Sequence, residues 1–111
     1  PEAFARFEAR EPGAGFPGRG GESLETFDAR VWAFVESLRR RHTGQTVLLV
    51  THGGVLDIVA RRVRGLGLVC ARDFDIANCA LNWVSHDESG WRVERWGDVS
   101  HLDGALDELP V

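Results

Sequence analysis

The sequence predicts an α/β fold with a parallel sheet, and three observations support this prediction. A long amphipathic helical pattern spans 23–41, a short apolar and β-branched run follows at 46–51, and helical spacing resumes at 55–64 after two glycines. Helix, buried strand, glycine turn and helix in this order are typical of a βαβ architecture. A chain of 111 residues has room for one domain and not for two.

The first helix is predicted over 23–41. Its apolar residues recur at three- and four-residue steps, which places them on one face of a helix. They are Leu24, Phe27, Val31, Phe34, Val35 and Leu38. Ser23 is a good N-cap, acidic residues lie near the positive end of the helix and three arginines near its negative end. Gly44 is expected to end the helix.

The next two elements are a strand and a second helix. The run at 46–51 (TVLLVT) is continuously apolar, which is typical of a strand buried on both faces of a parallel sheet. His52, Gly53 and Gly54 end this strand, and a helix is predicted from 55 to 64. The apolar face of that helix is formed by Val55, Ile58, Val59 and Val63.

A β-hairpin is predicted late in the chain, with strands at 79–85 and 91–96. The other segments are a short helical end around Phe4 and Phe7, a loop at 11–21 rich in Gly and Pro, a linker at 65–75 and a C-terminal tail at 104–111.

Composition excludes several classes of function. The net charge of -4 opposes a nucleic-acid or anionic-membrane binder. All 13 basic side chains are Arg and none is Lys, which excludes a P-loop, a Schiff base and pyridoxal phosphate anchoring. No apolar run exceeds five residues, so no membrane segment is expected. Cys70 and Cys79 fit no metal-ligand spacing, and we expect reduced, packed thiols in a cytoplasmic protein.

The candidate functional residue is His52, which follows the predicted strand. In open α/β sheets, ligands bind beyond the carboxyl ends of the strands. His52 stands there beside Gly53 and Gly54, where free backbone N–H groups and the positive end of a helix stabilise an anion such as phosphate. Glycines have no Cβ, so they allow a ligand to approach the backbone closely. A tight strand–helix turn with an incidental histidine is the alternative explanation.

Five pieces of the sequence, taken in order, resemble the later half of a histidine phosphatase, the superfamily that includes cofactor-dependent phosphoglycerate mutases. These pieces are Gly20-Gly21-Glu22-Ser23, the helix with Phe27 and Arg30-Val31, the segment VLLVTHGGV, Asp75-Ile76-Ala77-Asn78, and Asp98-Val99-Ser100-His101-Leu102. The resemblance runs from about Gly20 to Leu102, and THGGV after a buried strand is its most specific part.

The resemblance implies a three-layer α/β/α fold with a mostly parallel sheet and a phosphohistidine mechanism. In that family a first His, in an Arg-His-Gly motif, attacks phosphorus, and a carboxylate acts as general acid and base. Two arginines and a second His hold the transferring phosphoryl group. His52 matches the second His, which would bind phosphate oxygens and stabilise charge in the transition state. The backbone N–H of Gly53 would assist as a substrate-binding group.

The resemblance also implies that residues 1–111 are a single incomplete domain, the C-terminal part of such a fold. The nucleophile motif, the second arginine and the acid/base carboxylate would precede Pro1. The chain holds no Met, so we expect it to begin inside a longer sequence, and alone it is expected to be inactive. Arg41-His42-Thr43-Gly44 is a broken Arg-His-Gly, and we reject it because it ends a helix instead of a strand.

The predicted function is a phosphomonoester hydrolase acting on a small phosphorylated substrate. A hydrolase is preferred to a mutase because the stretch 75–84 resembles the short connection of the family's phosphatases. A mutase, a non-catalytic phosphate-binding member and an unrelated nucleotide-binding module are the alternatives. No metal or organic cofactor is implied, because Arg and His groups would do the work of a metal. No nucleic-acid or membrane partner is expected, and an edge strand of the hairpin would permit a homodimer.

Four further polar residues remain to be interpreted: two interpretations are open for Glu22 and Asp57, and one is favoured for His86 and His101. Glu22 would be a pocket carboxylate or a capping group at the helix start, with capping favoured. Asp57 would lie on a solvated face or pair with Arg61 four residues later. His86 is expected in a solvated turn, and His101 is expected to make a structural hydrogen bond.

Overall fold

The computed structural model describes residues 21–103, which form two helices followed by an antiparallel hairpin. The elements are helix α1 (Leu24–Arg41), helix α2 (Gly53–Arg64), strand β1 (Leu81–Asp87), strand β2 (Gly90–Asp98) and a short 3-10 helix (Ser100–Leu102). This part of the chain is therefore α/β, as predicted. The predictions made for the residues before 21 and after 103 lie outside the described residues.

Helix α1 confirms its predicted bounds and its cap. The Ser23 Oγ accepts a hydrogen bond from the Thr26 backbone N–H at 3.1 Å, which satisfies one of the free donors at the helix start. The buried side chains of α1 are Leu24, Val31 and Val35. Phe34 was expected on the same apolar face, but it is 51% exposed. The buried face is therefore narrower than the apolar stripe.

The strand predicted at 46–51 is not found. The structure assigns neither helix nor strand there, and Leu48 and Val50 are 82% and 94% exposed. A strand is held by hydrogen bonds to a neighbouring strand, and no residue between 21 and 103 supplies that pairing. The predicted parallel sheet is accordingly absent from the described residues, whose sheet consists of β1 and β2.

Helix α2 begins at Gly53, two residues before its predicted start. Its buried residues include Ile58, which is fully buried, and Ala60. Gly65 ends the helix with a φ of +73°, a left-handed conformation that a residue without a Cβ adopts readily. The Gly65 N–H donates to the carbonyls of Arg61 and Arg62, so the C-terminal end of α2 is well capped.

The hairpin is confirmed: β1 lies two residues later than predicted, and β2 contains the predicted range and extends one residue before it and two after it. In β1 and β2, His86 pairs with Trp91 and Val84 with Val93, and the register shifts near Trp83. The Trp91 indole Nε1 donates to the Glu36 carboxylate at 2.7 Å, which fixes the hairpin to α1. Helix α2 contacts both α1 and β2, so the helices and the hairpin form one packed unit.

Candidate functional site

His52 lies at the N-cap position of α2 and is exposed to solvent. Its backbone is extended, with φ -119° and ψ 166°, and its carbonyl accepts from the Leu56 N–H at 3.1 Å. The imidazole makes no capping hydrogen bond. Neither ring nitrogen has a hydrogen-bond partner among residues 21–103, so both can face a ligand at the start of the helix as far as these residues are concerned.

The N-terminal turn of α2 offers unused hydrogen-bond donors. The N–H of Leu56 is the first to bond within the helix, so those of Gly53, Gly54 and Val55 precede any intrahelical bond. None of these three N–H groups has a partner in the part of the chain that the structure describes. The first turn of α2 also contains no acidic residue. Free N–H groups and the positive end of the helix dipole favour an anion here.

The two glycines of this turn are packed from two directions. A Cβ on Gly53 would lie 3.3 Å from Ile76 Cγ2, which is tighter than most Cβ contacts. A Cβ on Gly54 would lie 3.6 Å from the Phe27 ring of α1, an ordinary contact. The first turn of α2 therefore lies between α1 and the loop that precedes β1.

Glu22 does not cap α1; it pairs with Arg30. The Arg30 Nε and Nη2 donate to the two Glu22 oxygens at 2.9 and 2.7 Å, in a bidentate pair. The hydrogen bond from Arg30 lowers the pKa of Glu22 below its ordinary value. The Arg30 guanidinium carbon lies 5.3 Å from the centre of the Phe27 ring, and this ring lies 3.6 Å from the position of a Cβ on Gly54. The pair is thus a neighbour of the α2 start.

Asp57 pairs with Arg61, as one of the two interpretations predicted, but both side chains are buried. Asp57 is 3% exposed and Arg61 is 1% exposed, so the solvated-face interpretation is wrong. The Arg61 Nε lies 3.1 Å from each Asp57 oxygen, and the Arg72 Nε donates to Asp57 Oδ1 at 3.1 Å. The Arg61 Nη2 is buried with no hydrogen-bond partner between residues 21 and 103.

The remaining histidines are not brought together with His52 into a metal site. His42 is the C-cap of α1, and its Nδ1 lies 2.9 Å from Gln45 Oε1, which agrees with rejecting the broken Arg-His-Gly. His86 lies in β1, with its ring 5.1 Å from that of Trp91. His101 is exposed and makes no hydrogen bond with its side chain to any described residue, so its predicted structural bond is not found. No group of three or more metal-ligating side chains occurs in the described range.

The two cysteines are free thiols, as predicted, but they are not packed. Cys70 and Cys79 are both exposed. Cys79 has a φ of +59°, which non-glycine residues adopt uncommonly, and it lies in the loop before β1. The prediction of a packed interior position was wrong because both residues fall in the connection between α2 and the hairpin. Neither helix between residues 21 and 103 is long and apolar enough to cross a lipid bilayer.

Comparison with known proteins shows the family to which the chain belongs. The sequence model of the family described as "Histidine phosphatase superfamily (branch 1)" matches residues 1–99 of the chain. The chain therefore belongs to the histidine phosphatase superfamily, and an unrelated nucleotide-binding module is excluded. It is also 42% identical over 95 residues to proteins named "Probable phosphoglycerate mutase GpmB" from Shigella boydii serotype 18 and serotype 4.

A protein of the same name from Escherichia coli O1:K1 is 41% identical over 95 residues. In each case the match covers 80% of this chain and 44% of the relative. The chain thus spans a little under half the length of the curated relatives that it matches.

Proposed function

We propose that this protein is a phosphomonoester hydrolase in which His52 binds the transferring phosphoryl group. One observation carries the proposal: an uncapped, exposed histidine lies beside three N–H groups that have no partner among residues 21–103, at a helix start without acidic residues in its first turn. Such donors fit the non-bridging oxygens of a phosphoryl group, whose negative charge the helix end and a donating N–H of the imidazole would stabilise. The N–H of Gly53 would be one substrate-binding group.

The reaction would proceed in two displacements at phosphorus. The nucleophilic histidine of an Arg-His-Gly motif would attack, the P–O bond to the substrate alcohol would break, and a carboxylic acid would protonate the leaving oxygen. Water would then attack the phosphohistidine, releasing phosphate and freeing the imidazole. His52 would contribute by binding the oxygens more tightly in each transition state than in the ground state. The 111 residues hold no intact Arg-His-Gly, so we assign no nucleophile here.

A phosphoglycerate mutase activity is the second candidate, because the relatives described above are named for it. The same phosphohistidine chemistry would serve a mutase, which returns the phosphoryl group to another alcohol instead of to water. A non-catalytic phosphate-binding member is the third candidate, and it would keep His52 without turnover.

We further propose that residues 1–111 form the C-terminal part of a three-layer α/β/α domain with a mostly parallel sheet. The exposure of the apolar run at 46–51 supports this assignment. Val47 and Leu49 are 42% and 45% exposed, and Leu48 and Val50 are 82% and 94% exposed. If the run were a strand with a further layer over it, all four of these apolar side chains would be buried. We propose a cytoplasmic location, a small phosphorylated substrate and an assembly compatible with a homodimer.

The test is the kinetics of the full-length protein with His52→Ala, using p-nitrophenyl phosphate and 3-phosphoglycerate as probes. We expect kcat to fall by about 10²–10³-fold, the loss typical of one donor to a developing oxyanion. His42→Ala is the matched control, because His42 is another histidine next to a helix end and bonds only to Gln45 among the described side chains. We expect it to leave kcat unchanged.

The outcomes separate the candidates. A fall of less than about threefold for His52→Ala would remove His52 from the mechanism, since it is worth well below 1 kcal/mol. Release of inorganic phosphate supports a hydrolase, and isomerised phosphoglycerate without phosphate release supports a mutase. Absence of turnover together with phosphate binding supports the non-catalytic candidate.

A further inference from the structure

The carboxylate of Asp57 is the fixed point of a buried cluster one helical turn beyond Gly53. It accepts hydrogen bonds from the Nε groups of Arg61 and Arg72, each at 3.1 Å. The Asp57 side chain is 4% exposed, whereas that of Arg72 is 45% exposed. The buried carboxylate therefore reaches outward to a residue of the loop between α2 and β1.

The two arginines bind this loop at several positions. The Arg61 Nη1 donates to the carbonyls of Gly67 at 2.8 Å and Cys70 at 2.6 Å. The guanidinium carbons of Arg61 and Arg72 each lie 5.8 Å from the centre of the Phe74 ring, within cation–π distance. Asp57 thus anchors the loop from residue 67 to residue 74.

The anchored loop then returns to the start of α2. Ile76, two residues after Phe74, provides the methyl group that lies against Gly53, 3.3 Å from the position of a Cβ there. The carbonyl of Asp75 accepts from the Trp96 indole at 2.9 Å, which fixes the loop to β2 as well. A continuous set of contacts therefore joins the Asp57 carboxylate to the turn that carries the free N–H groups.

We propose that Asp57 is a positioning residue for the phosphate site. Through Arg61 and Arg72 its carboxylate holds the loop so that the Ile76 side chain packs against Gly53 in the N-terminal turn of α2. We call this packed side chain the Ile76 wall. It fixes the positions of the backbone N–H groups and excludes water from one side of them, which strengthens their hydrogen bonds to an anion. The identity of the ligand rests on the proposed function, whereas the coupling between Asp57 and Gly53 does not.

The experiment compares Arg72→Gln with Arg64→Gln in the full-length protein. Both arginines lie over Phe74, at 5.8 and 5.7 Å, and both side chains are partly exposed at 45% and 37%. Arg72 donates to Asp57, whereas Arg64, which lies on α2, donates to the carboxylate of Asp73 in the loop. Arg64→Gln is therefore a control that removes the same charge and the same ring contact, together with one pair between α2 and this loop, while the bond from Arg72 to Asp57 stays in place.

Two readouts are measured on each variant: amide hydrogen exchange at Leu56, whose N–H makes the first hydrogen bond of α2, and at residues 67–76, and the affinity for inorganic phosphate. For Arg72→Gln we expect exchange at Leu56 to rise about threefold to tenfold and phosphate affinity to fall by a similar factor, as for the loss of one ordinary hydrogen bond. For Arg64→Gln we expect exchange at Leu56 and phosphate affinity to match the wild type. Asp57→Asn should change both readouts in the same direction as Arg72→Gln and by more.

The results decide the two proposals separately. If exchange at Leu56 stays at the wild-type rate in Arg72→Gln, or rises equally in Arg64→Gln, the positioning role is overturned. If exchange responds as expected but the wild type binds no phosphate, the positioning role stands and the proposed function fails. Equal phosphate affinity in the wild type and Arg72→Gln would overturn the positioning role even where the protein binds phosphate.

Discussion

The two helices of this chain begin in opposite ways. At the start of α1, the Ser23 Oγ accepts from the Thr26 N–H, and Glu25 adds an acidic side chain in the first turn. At the start of α2, His52 makes no capping bond and the first turn holds no acidic residue. At the start of α1, one backbone donor is therefore satisfied by a side chain. At the start of α2, three N–H groups have no partner among residues 21–103, and the positive helix end favours an anion.

The difference shows where α2 obtains its stability. Its C-terminal end is capped by Gly65, and three arginines in its last turn complement the negative end of the helix. Its middle is held by the fully buried Ile58 and by the buried pair of Asp57 and Arg61. The stabilising contacts thus begin one turn beyond residues 52–55, the uncapped start of α2, which we call the open start. A ligand can therefore reach the open start without unfolding the helix.

The largest expected effect comes from giving α2 the same cap as α1. His52→Ser supplies an oxygen that caps the Gly54 or Val55 N–H and removes the imidazole. We expect kcat of the full-length protein to fall by about 10²–10³-fold. The free energy of unfolding should rise by about 0.5–1 kcal/mol, because serine caps a helix better than residues without a suitable acceptor.

Steady-state kinetics and urea unfolding of the same preparation measure the two quantities. Opposite changes in activity and stability are the signature of a start kept open for a ligand. A fall in stability together with activity would instead mean that the imidazole is a structural group of the native protein.

The next effect distinguishes the two glycines of the open start. Gly53→Ala places a methyl group 3.3 Å from Ile76 Cγ2, so Ile76 must shift, whereas the methyl group of Gly54→Ala would meet Phe27 at 3.6 Å. We expect phosphate affinity to fall about tenfold for Gly53→Ala, the equivalent of about 1.4 kcal/mol. Gly54→Ala should have a clearly smaller effect. Titration with inorganic phosphate measures both, and equal losses would contradict the wall formed by Ile76.

Local patterns predicted the helices well and the strand poorly. Ser23 and the apolar spacing after it depend only on neighbours in sequence, so the cap and the bounds of α1 were predicted correctly. A strand depends on a partner strand, which the run at 46–51 does not have among residues 21–103. The apolar composition of the run indicates a tendency to form a strand, but it does not show whether a neighbouring strand is present to pair with it.

The candidate site was predicted in part for the same reason. His52 and its glycines are adjacent in sequence, and their place at a helix start was predicted, with the helix beginning two residues earlier than expected. The i,i+4 spacing indicated the pair of Asp57 and Arg61. Its burial was not predictable, because further partners of the pair lie on a loop without periodicity, and one of them, Arg72, is 15 residues from Asp57 in sequence.

A smaller effect is expected from removing the cap of α1. Ser23→Ala leaves the Thr26 N–H without its acceptor, and we expect the free energy of unfolding to fall by about 1 kcal/mol. The kcat of the full-length protein should stay at the wild-type value, because Ser23 caps the start of α1 and is not part of the proposed phosphate site. Urea unfolding and kinetics check the two parts, and a large fall in kcat would show that the two helix starts are not separate in function.

The smallest effect concerns the pKa of Glu22, which directly precedes the cap of α1. Arg30 lowers the pKa of Glu22 below its ordinary value, chiefly through their hydrogen bonds. A carboxyl whose pKa is lower in the folded than in the unfolded state stabilises the fold above its unfolded pKa, and this contribution is lost as the pH falls through the folded pKa. An NMR titration of the Glu22 carboxyl should therefore give a low pKa in the wild type and an ordinary one in Arg30→Gln. Since the pair is exposed, salt should move the wild-type pKa towards the ordinary value. An unchanged pKa in Arg30→Gln would show that the bidentate pair does not persist in solution.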